Sequence, residues 1–178
     1  PQVLLEMIQT MLFLLEKGVR VFRMDAITFI WKELGTNCVH LPQGHAILQI
    51  FREVLNIICP SAILVTETNV PHKDNISYFG NGKDEAQMVY NFALPPLTLH
   101  ALYTANTHYL TEWAKTLTPP SQETTFFNFL ACHDGIGVMG AKGILPEDEL
   151  AIMFQHIGEK NGAKLSYRAL PNGEESVY

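Results

Sequence analysis

Helix-type and strand-type segments alternate along this chain with almost no room between them, and that alternation restricts the fold more than any other feature. Residues 3–16 place Leu4, Ile8, Met11, Leu12 and Leu15 at helical spacing, and Gly18 stands where a C-terminal cap belongs. Residues 19–27 follow at once, apolar and rich in β-branched side chains, the pattern of a strand buried on both faces. Residues 43–58 return to helical spacing through Ile47, Ile50, Phe51, Val54, Leu55 and Ile58, before Pro60 ends the run. Further strands are predicted over residues 62–66, 87–92 and 124–131, and a helix over 95–117 with Leu102, Tyr109, Leu110 and Trp113 turned inward. Such an α/β succession implies a parallel sheet covered by helices, either doubly wound or closed into a barrel; the pattern does not choose between them.

Acidic residues stand where these strands give way to loops. Asp25 ends the run from Gly18, Glu67 ends residues 62–67, and Asp134 follows the apolar residues 126–133. Parallel strands bring their C-terminal ends to one edge, so the three acids are expected to face one ligand of sugar size. Singly, each acid would be read as a helix cap or a surface charge; the shared context reverses that. Beyond Asp134 the regularity stops. A glycine-rich stretch leads to a helix starting at Pro146, with Glu147, Asp148 and Glu149 near its positive end and Gly158 at its close. Asn172-Gly173 marks a turn, and no closing element is expected after it.

Composition removes several function classes. With 178 residues and 47% hydrophobic content, the chain can bury the core of one domain. Its net charge of -6 argues against binding a phosphate backbone, so nucleic acid is not an expected partner. The most apolar stretch, residues 11–15, is far too short to span a bilayer, and no membrane partner is expected. Cys38, Cys59 and Cys132 are odd in number and widely spaced, which suits a reducing compartment and an expected cytoplasmic location. No glycine-rich phosphate loop follows any strand, which disfavours a nucleotide-binding domain. Cys38, His40 and His45 lack a fourth ligand at metal-site spacing, so packing and loop roles are expected there and no metal. Cys132 and His133 are expected on opposite faces of a strand, where they cannot form a nucleophilic pair.

Three short motifs in this order resemble the α-amylase superfamily of retaining glycosidases. Arg23-Met24-Asp25-Ala26 is similar to its fourth-strand motif, Glu67 to its fifth-strand acid/base, and His133-Asp134 to its seventh-strand pair. The resemblance implies a (β/α)8 barrel, of which this chain would be the central part, from about the third helix to the seventh strand and the loop beyond. Residues 1–134 would be the barrel segment and 135–178 the excursion after strand seven. A full barrel needs roughly 250 residues, so the segment alone is expected to be inactive. His133-Asp134-Gly135-Ile136-Gly137-Val138 resembles the sucrose-phosphorylase-like branch, while Glu67-Thr68-Asn69-Val70-Pro71-His72 looks more like the glucosylglycerate phosphorylase type.

What the resemblance implies chemically is retaining α-glucosyl transfer to phosphate. Asp25 would be the nucleophile, Glu67 the general acid/base and Asp134 the stabiliser of the transition state. Arg23 would orient Asp25, His133 would contact the donor sugar, and Asn69 and His72 would lie toward the acceptor. The expected partners are a small α-glucoside and inorganic phosphate, the latter as co-substrate, with no other cofactor. A hydrolase or transglycosidase of the same superfamily, or a truncated silent chain, are the alternatives. Retention needs the two carboxylates about 5 to 5.5 Å apart, a distance that neighbouring strand ends supply.

Overall fold

A computed structural model describes residues 1–159, 162–169 and 173–177. They form two compact units: the first joins Pro1–Thr68, Asp74–Tyr90 and Pro119–Phe127, the second Asn69–Lys73, Asn91–Thr118 and Asn128–Tyr178. No helix among the described residues is long and apolar enough to cross a membrane.

In the first unit, helix α1 (Gln2–Glu16) ends at Gly18, whose φ of +95° is open to glycine at no steric cost. The Gly18 N–H bonds to the Leu15 carbonyl and the Val19 N–H to the Leu14 carbonyl, each at 3.0 Å. This paired closure is a Schellman motif, and it delivers the chain straight into strand β1 (Val21–Asp25). Helix α2 (Pro42–Ile58) starts with proline in its first turn, where a missing N–H costs nothing. Strands β2 (Ile63–Glu67), β3 (Met88–Tyr90) and β4 (Thr125–Phe127) complete a sheet in the order β1-β2-β3-β4, parallel throughout.

The two-residue period of the strands sorts their side chains. Phe22, Met24, Leu64, Val89 and Phe126 join the core with Met11 and Leu15 of α1 and Leu48, Phe51 and Leu55 of α2. Arg23, Asp25, Glu67 and Tyr90 have the other parity and so project from the opposite sheet face. A slip of one residue would exchange the two sets, so burial of the apolar set also determines where the charged set stands. Arg52 of α2 is fully buried: its Nη1 donates to the Ala62 carbonyl at 2.8 Å and its Nε to Asn56 Oδ1 at 2.8 Å. The guanidinium thereby ties α2 to the residue preceding β2, and burial holds its pKa below the ordinary arginine value.

The second unit holds helices α4 (Leu94–Thr104), α5 (His108–Thr116) and α6 (Glu147–Gly158), after the short α3 (His72–Asn75) that begins in it. Leu97, Trp113, Val138, Ala141, Leu150 and Met153 form its core. Buried His100 pairs through Nε2 with Glu149 Oε2 at 2.8 Å, linking α4 to α6.

Several elements differ from the sequence expectation. The single helix over 95–117 is two helices, because Ala105 takes a left-handed φ of +53° and the Asn106 side chain accepts the His108 N–H at 2.9 Å. The break ends the helical period, and Leu102, expected inward, is exposed. The strands are also shorter than their apolar runs: residues 128–131 lie outside β4, and Cys132-His133-Asp134 forms a turn, not a strand end. A closing element does exist: β5 (Tyr167–Ala169) pairs antiparallel with β6 (Glu175–Val177). The expected Asn172-Gly173 turn involves Asn172, which lies outside the described residues, while Gly173 has a φ of +83°.

Close packing around Gly140 makes a direct prediction. A Cβ there would lie 2.4 Å from the Phe92 carbonyl carbon, a backbone atom that has no rotamer to escape into. Gly140→Ala is expected to lower stability by about 1 to 3 kcal/mol in urea unfolding. Gly158→Ala, with nothing within 4 Å, should show no loss.

Candidate active site

Strands β1 and β2 are in register so that Asp25 and Glu67, the last residue of each, are Cα partners. Neighbouring strands run about 4.7 to 4.9 Å apart, so the backbone positions that carry the two acids are adjacent. Arg23 lies two residues before Asp25 on the same face. Its Nη1 forms a hydrogen-bonded ion pair with Asp25 Oδ1, and its Nη2 stands 3.8 Å from Glu67 Oε2. One guanidinium thus addresses both acids.

Two further residues complete this cluster, and neither was found from sequence. Tyr90 ends β3, and its ring lies under the Arg23 guanidinium at 5.5 Å while stacking on Phe127 of β4 at 4.6 Å. Burial works against the Arg23 charge, but hydrogen bonds to Asp25 and Tyr90 and the charges of Asp25 and Glu67 outweigh it and raise its pKa. Ala26 takes the left-handed conformation at φ 46° and ψ 35°, and its N–H donates to Glu67 Oε2 at 3.0 Å. A non-glycine residue in that region costs of order 1 to 2 kcal/mol, so the surrounding structure holds the backbone there. The only signal in the sequence for Tyr90 is its parity with Met88; for Ala26 there is none.

Glu67 is the more enclosed acid, with its side chain 14% exposed against 72% for Asp25. The loop that follows Asp25 is anchored by His40, whose Nδ1 stands 3.0 Å from the Thr28 hydroxyl and 2.9 Å from the Tyr78 hydroxyl. His45 stacks on Tyr78 at 4.7 Å and pairs with buried Glu85 at 2.8 Å. These histidines hold loops in place; Cys38 bonds instead to Thr36 and Glu33.

Burial holds the His40 pKa below the ordinary histidine value, and does the same to His72. A histidine depressed by folding stabilises the native state fully above its unfolded pKa of about 6.5 and loses that contribution as the pH falls toward the folded value. The melting temperature is therefore expected to fall between about pH 7 and pH 5. His40→Gln should flatten that dependence, measured by thermal melts across the range, and an unchanged slope would remove His40 as a cause.

The remaining sequence-predicted residues belong to the second unit. His133 and Asp134 sit in the turn 132–135, with His133 Nε2 3.2 Å from Asp134 Oδ2 and both side chains exposed. Asn69 packs against the same loop: a Cβ on Gly137 would come 2.1 Å from its amide nitrogen, so only glycine leaves it this room. His72 opens α3 with its ring edge-on to Trp113 at 5.7 Å, and is half-buried there. Asp25, Glu67 and Arg23 are thus brought together in one unit, and Asn69 meets the His133-Asp134 loop in the other. Cys132 and His133 do not point to opposite strand faces as expected, because they are not on a strand. Around the turn, ligand atoms of Cys132, His133 and Asp134 all lie within 4.8 Å of one another.

Comparison with known proteins places this chain in a family. Residues 1–145 match the model of the α-amylase catalytic domain. The chain is 49% identical over 174 residues to a glucosylglycerate phosphorylase of Spirochaeta thermophila, covering 98% of this chain and 29% of that protein. It is 48% identical over 178 residues to the glucosylglycerate phosphorylase of Escherichia coli, covering all of this chain and 32% of that protein. The chain therefore spans about a third of the length of the curated relatives it matches. In backbone it is similar to sucrose 6F-phosphate phosphorylase from Thermoanaerobacter thermosaccharolyticum, with a TM-score of 0.73 and 23% identity over 92% of this chain and 31% of that one. Four parallel strands with helices on one face, and carboxylates at the ends of the first two, are a segment of a (β/α)8 barrel, and the chain belongs to the α-amylase catalytic-domain family.

Proposed function

We propose that the protein to which this chain belongs transfers an α-glucosyl group to inorganic phosphate with retention, releasing α-glucose 1-phosphate from a small α-glucoside. The observation that carries the reading is the Asp25–Glu67 register with Arg23 between them. Identity near one half to glucosylglycerate phosphorylases makes glucosylglycerate the first donor to try, ahead of sucrose.

In the first step Asp25 attacks the anomeric carbon and a covalent glucosyl ester forms, while Glu67 gives its proton to the departing oxygen. In the second step Glu67 takes the proton of the incoming phosphate, which displaces Asp25 and restores the free enzyme. Arg23 has a double part. It orients Asp25 through their ion pair, and its second nitrogen faces the oxygen of Glu67 that the Ala26 N–H also holds. Asp134 is assigned to the cationic character of the transition state, His133 to the donor sugar, and Asn69 and His72 to the acceptor side. The phosphate co-substrate and the free thiols Cys38, Cys59 and Cys132 support a cytoplasmic setting.

The test follows glucose 1-phosphate released by the complete protein from glucosylglycerate and from sucrose, with and without phosphate. Phosphate-dependent release from either donor supports the proposal. Free glucose formed equally well without phosphate would make the protein a hydrolase.

A further inference from the structure

We infer that Asn75 is a positioning residue for Glu67, fixing the strand end that carries the acid against the neighbouring strand. The β2–β3 ladder pairs Val65 with Met88 and Thr66 with Val89, one residue short of Glu67 and Tyr90. Beyond that point the Asn75 side chain bridges the two strand ends. Its Nδ2 donates to the Tyr90 carbonyl at 2.7 Å, and its Oδ1 accepts the hydroxyl of Thr68, the residue after Glu67, at 2.5 Å. All three residues belong to the first unit. Glu67 is thereby held from two sides: its carboxylate by the Ala26 N–H that follows β1, and its backbone through Thr68 and Asn75 from β3.

The chemistry of the bridge admits few substitutes. The Tyr90 carbonyl only accepts, so the amide nitrogen must face it, and this leaves the amide oxygen for the Thr68 hydroxyl. Aspartate in place of Asn75 would set a carboxylate against the carbonyl. Alanine would leave a carbonyl and a hydroxyl without partners in a place closed to solvent, where Thr68 and Asn75 are each 1% exposed. A general acid must lie within hydrogen-bond reach of the oxygen it protonates, and a misplacement of about 1 Å costs on the order of 100-fold in rate. Asn75 need not touch the sugar to have that effect. The inference rests on the reading of Glu67 as the acid, and it is indifferent to whether phosphate or water accepts the glucosyl group.

The test compares two donors in the complete protein: glucosylglycerate, and α-glucosyl fluoride, whose leaving group takes no proton. Asn75→Ala is expected to lower kcat for glucosylglycerate roughly 100-fold at nearly unchanged KM, and kcat for the fluoride by less than about tenfold. Thr68→Val keeps the side-chain shape and removes the hydroxyl, and should show the same donor dependence. Thr68→Ser keeps the hydroxyl and should recover most of the parent's rate. Asn56→Ala removes a hydrogen bond from buried Arg52 in the same unit; it should lower the melting temperature and leave the ratio of the two rates as in the parent. Equal losses on both donors in Asn75→Ala, no loss in the folded variant, or a Thr68→Ser no better than Thr68→Val would overturn the assignment. A parent that turns over neither donor would overturn the reading of Glu67 as the acid, and the assignment with it.

Discussion

Asp25→Asn in the complete protein is expected to lower kcat/KM for glucosyl transfer by at least about 10⁴-fold. The amide has nearly the shape of the carboxylate, so the sheet and its register should be unaffected. What is lost is the oxygen nucleophile and the anionic partner of Arg23 Nη1. The variant should still melt close to the parent, because the substitution keeps the size and shape of the side chain and creates no cavity. A smaller residue at the same place supplies the decisive reading. In Asp25→Gly a small anion such as azide can enter from the nucleophile's side and displace the leaving group once. The product should then be the β-glucosyl azide, of inverted configuration. Turnover of Asp25→Asn within a hundredfold of the parent would remove Asp25 from the reaction.

Glu67→Gln should cost about 10² to 10⁴-fold, with a dependence on the donor that Asp25→Asn does not share. Glutamine fills the same space and its carbonyl oxygen can still accept the Ala26 N–H that now binds Oε2 at 3.0 Å. Only the transferable proton is gone. A donor whose leaving group needs no protonation, such as α-glucosyl fluoride, should therefore be consumed by Glu67→Gln far better than glucosylglycerate is. Phosphate brings ionisable oxygens of its own, so its attack on the ester should suffer less than attack by a neutral alcohol. Equal losses with both donors would mean that Glu67 acts through positioning and not as the acid.

Much of this arrangement is legible in the residues because one physical constraint does two jobs. In Val21–Asp25 the apolar side chains of Phe22 and Met24 must reach the helix-packed core, and period two then sends Arg23 and Asp25 to the opposite face. The same argument places Glu67 opposite Leu64 and Thr66 in the next strand. Apolar pattern, cap and register agree, so the placement of the Asp25–Glu67–Arg23 cluster follows from short-range information. Tyr90 is less visible, since a tyrosine ending a three-residue strand looks like any half-buried aromatic until the guanidinium is found above it. Ala26 is invisible, because left-handed backbone is unusual for alanine and is imposed here by its surroundings.

The failures share one cause. Apolar periodicity reports burial, and burial does not say whether the backbone continues in the same conformation. Phe129, Leu130 and Ala131 stay apolar after β4 ends at Phe127, so the pattern predicts strand as far as residue 131. Likewise the apolar residues on both sides of Ala105 fit one helix, although the chain breaks there and Leu102 turns outward. The sequence by itself determined the alternation of helices and parallel strands, the helix cap at Gly18 and the pairing of two strand-end acids, since each depends on local periodicity and on steric limits of single residues. Tertiary structure alone decided the seat of Asn69 on Gly137 and the left-handed Ala26 whose N–H meets Glu67. Each of these depends on contacts between residues that no local period relates, and on backbone conformations that pay off only once those contacts exist.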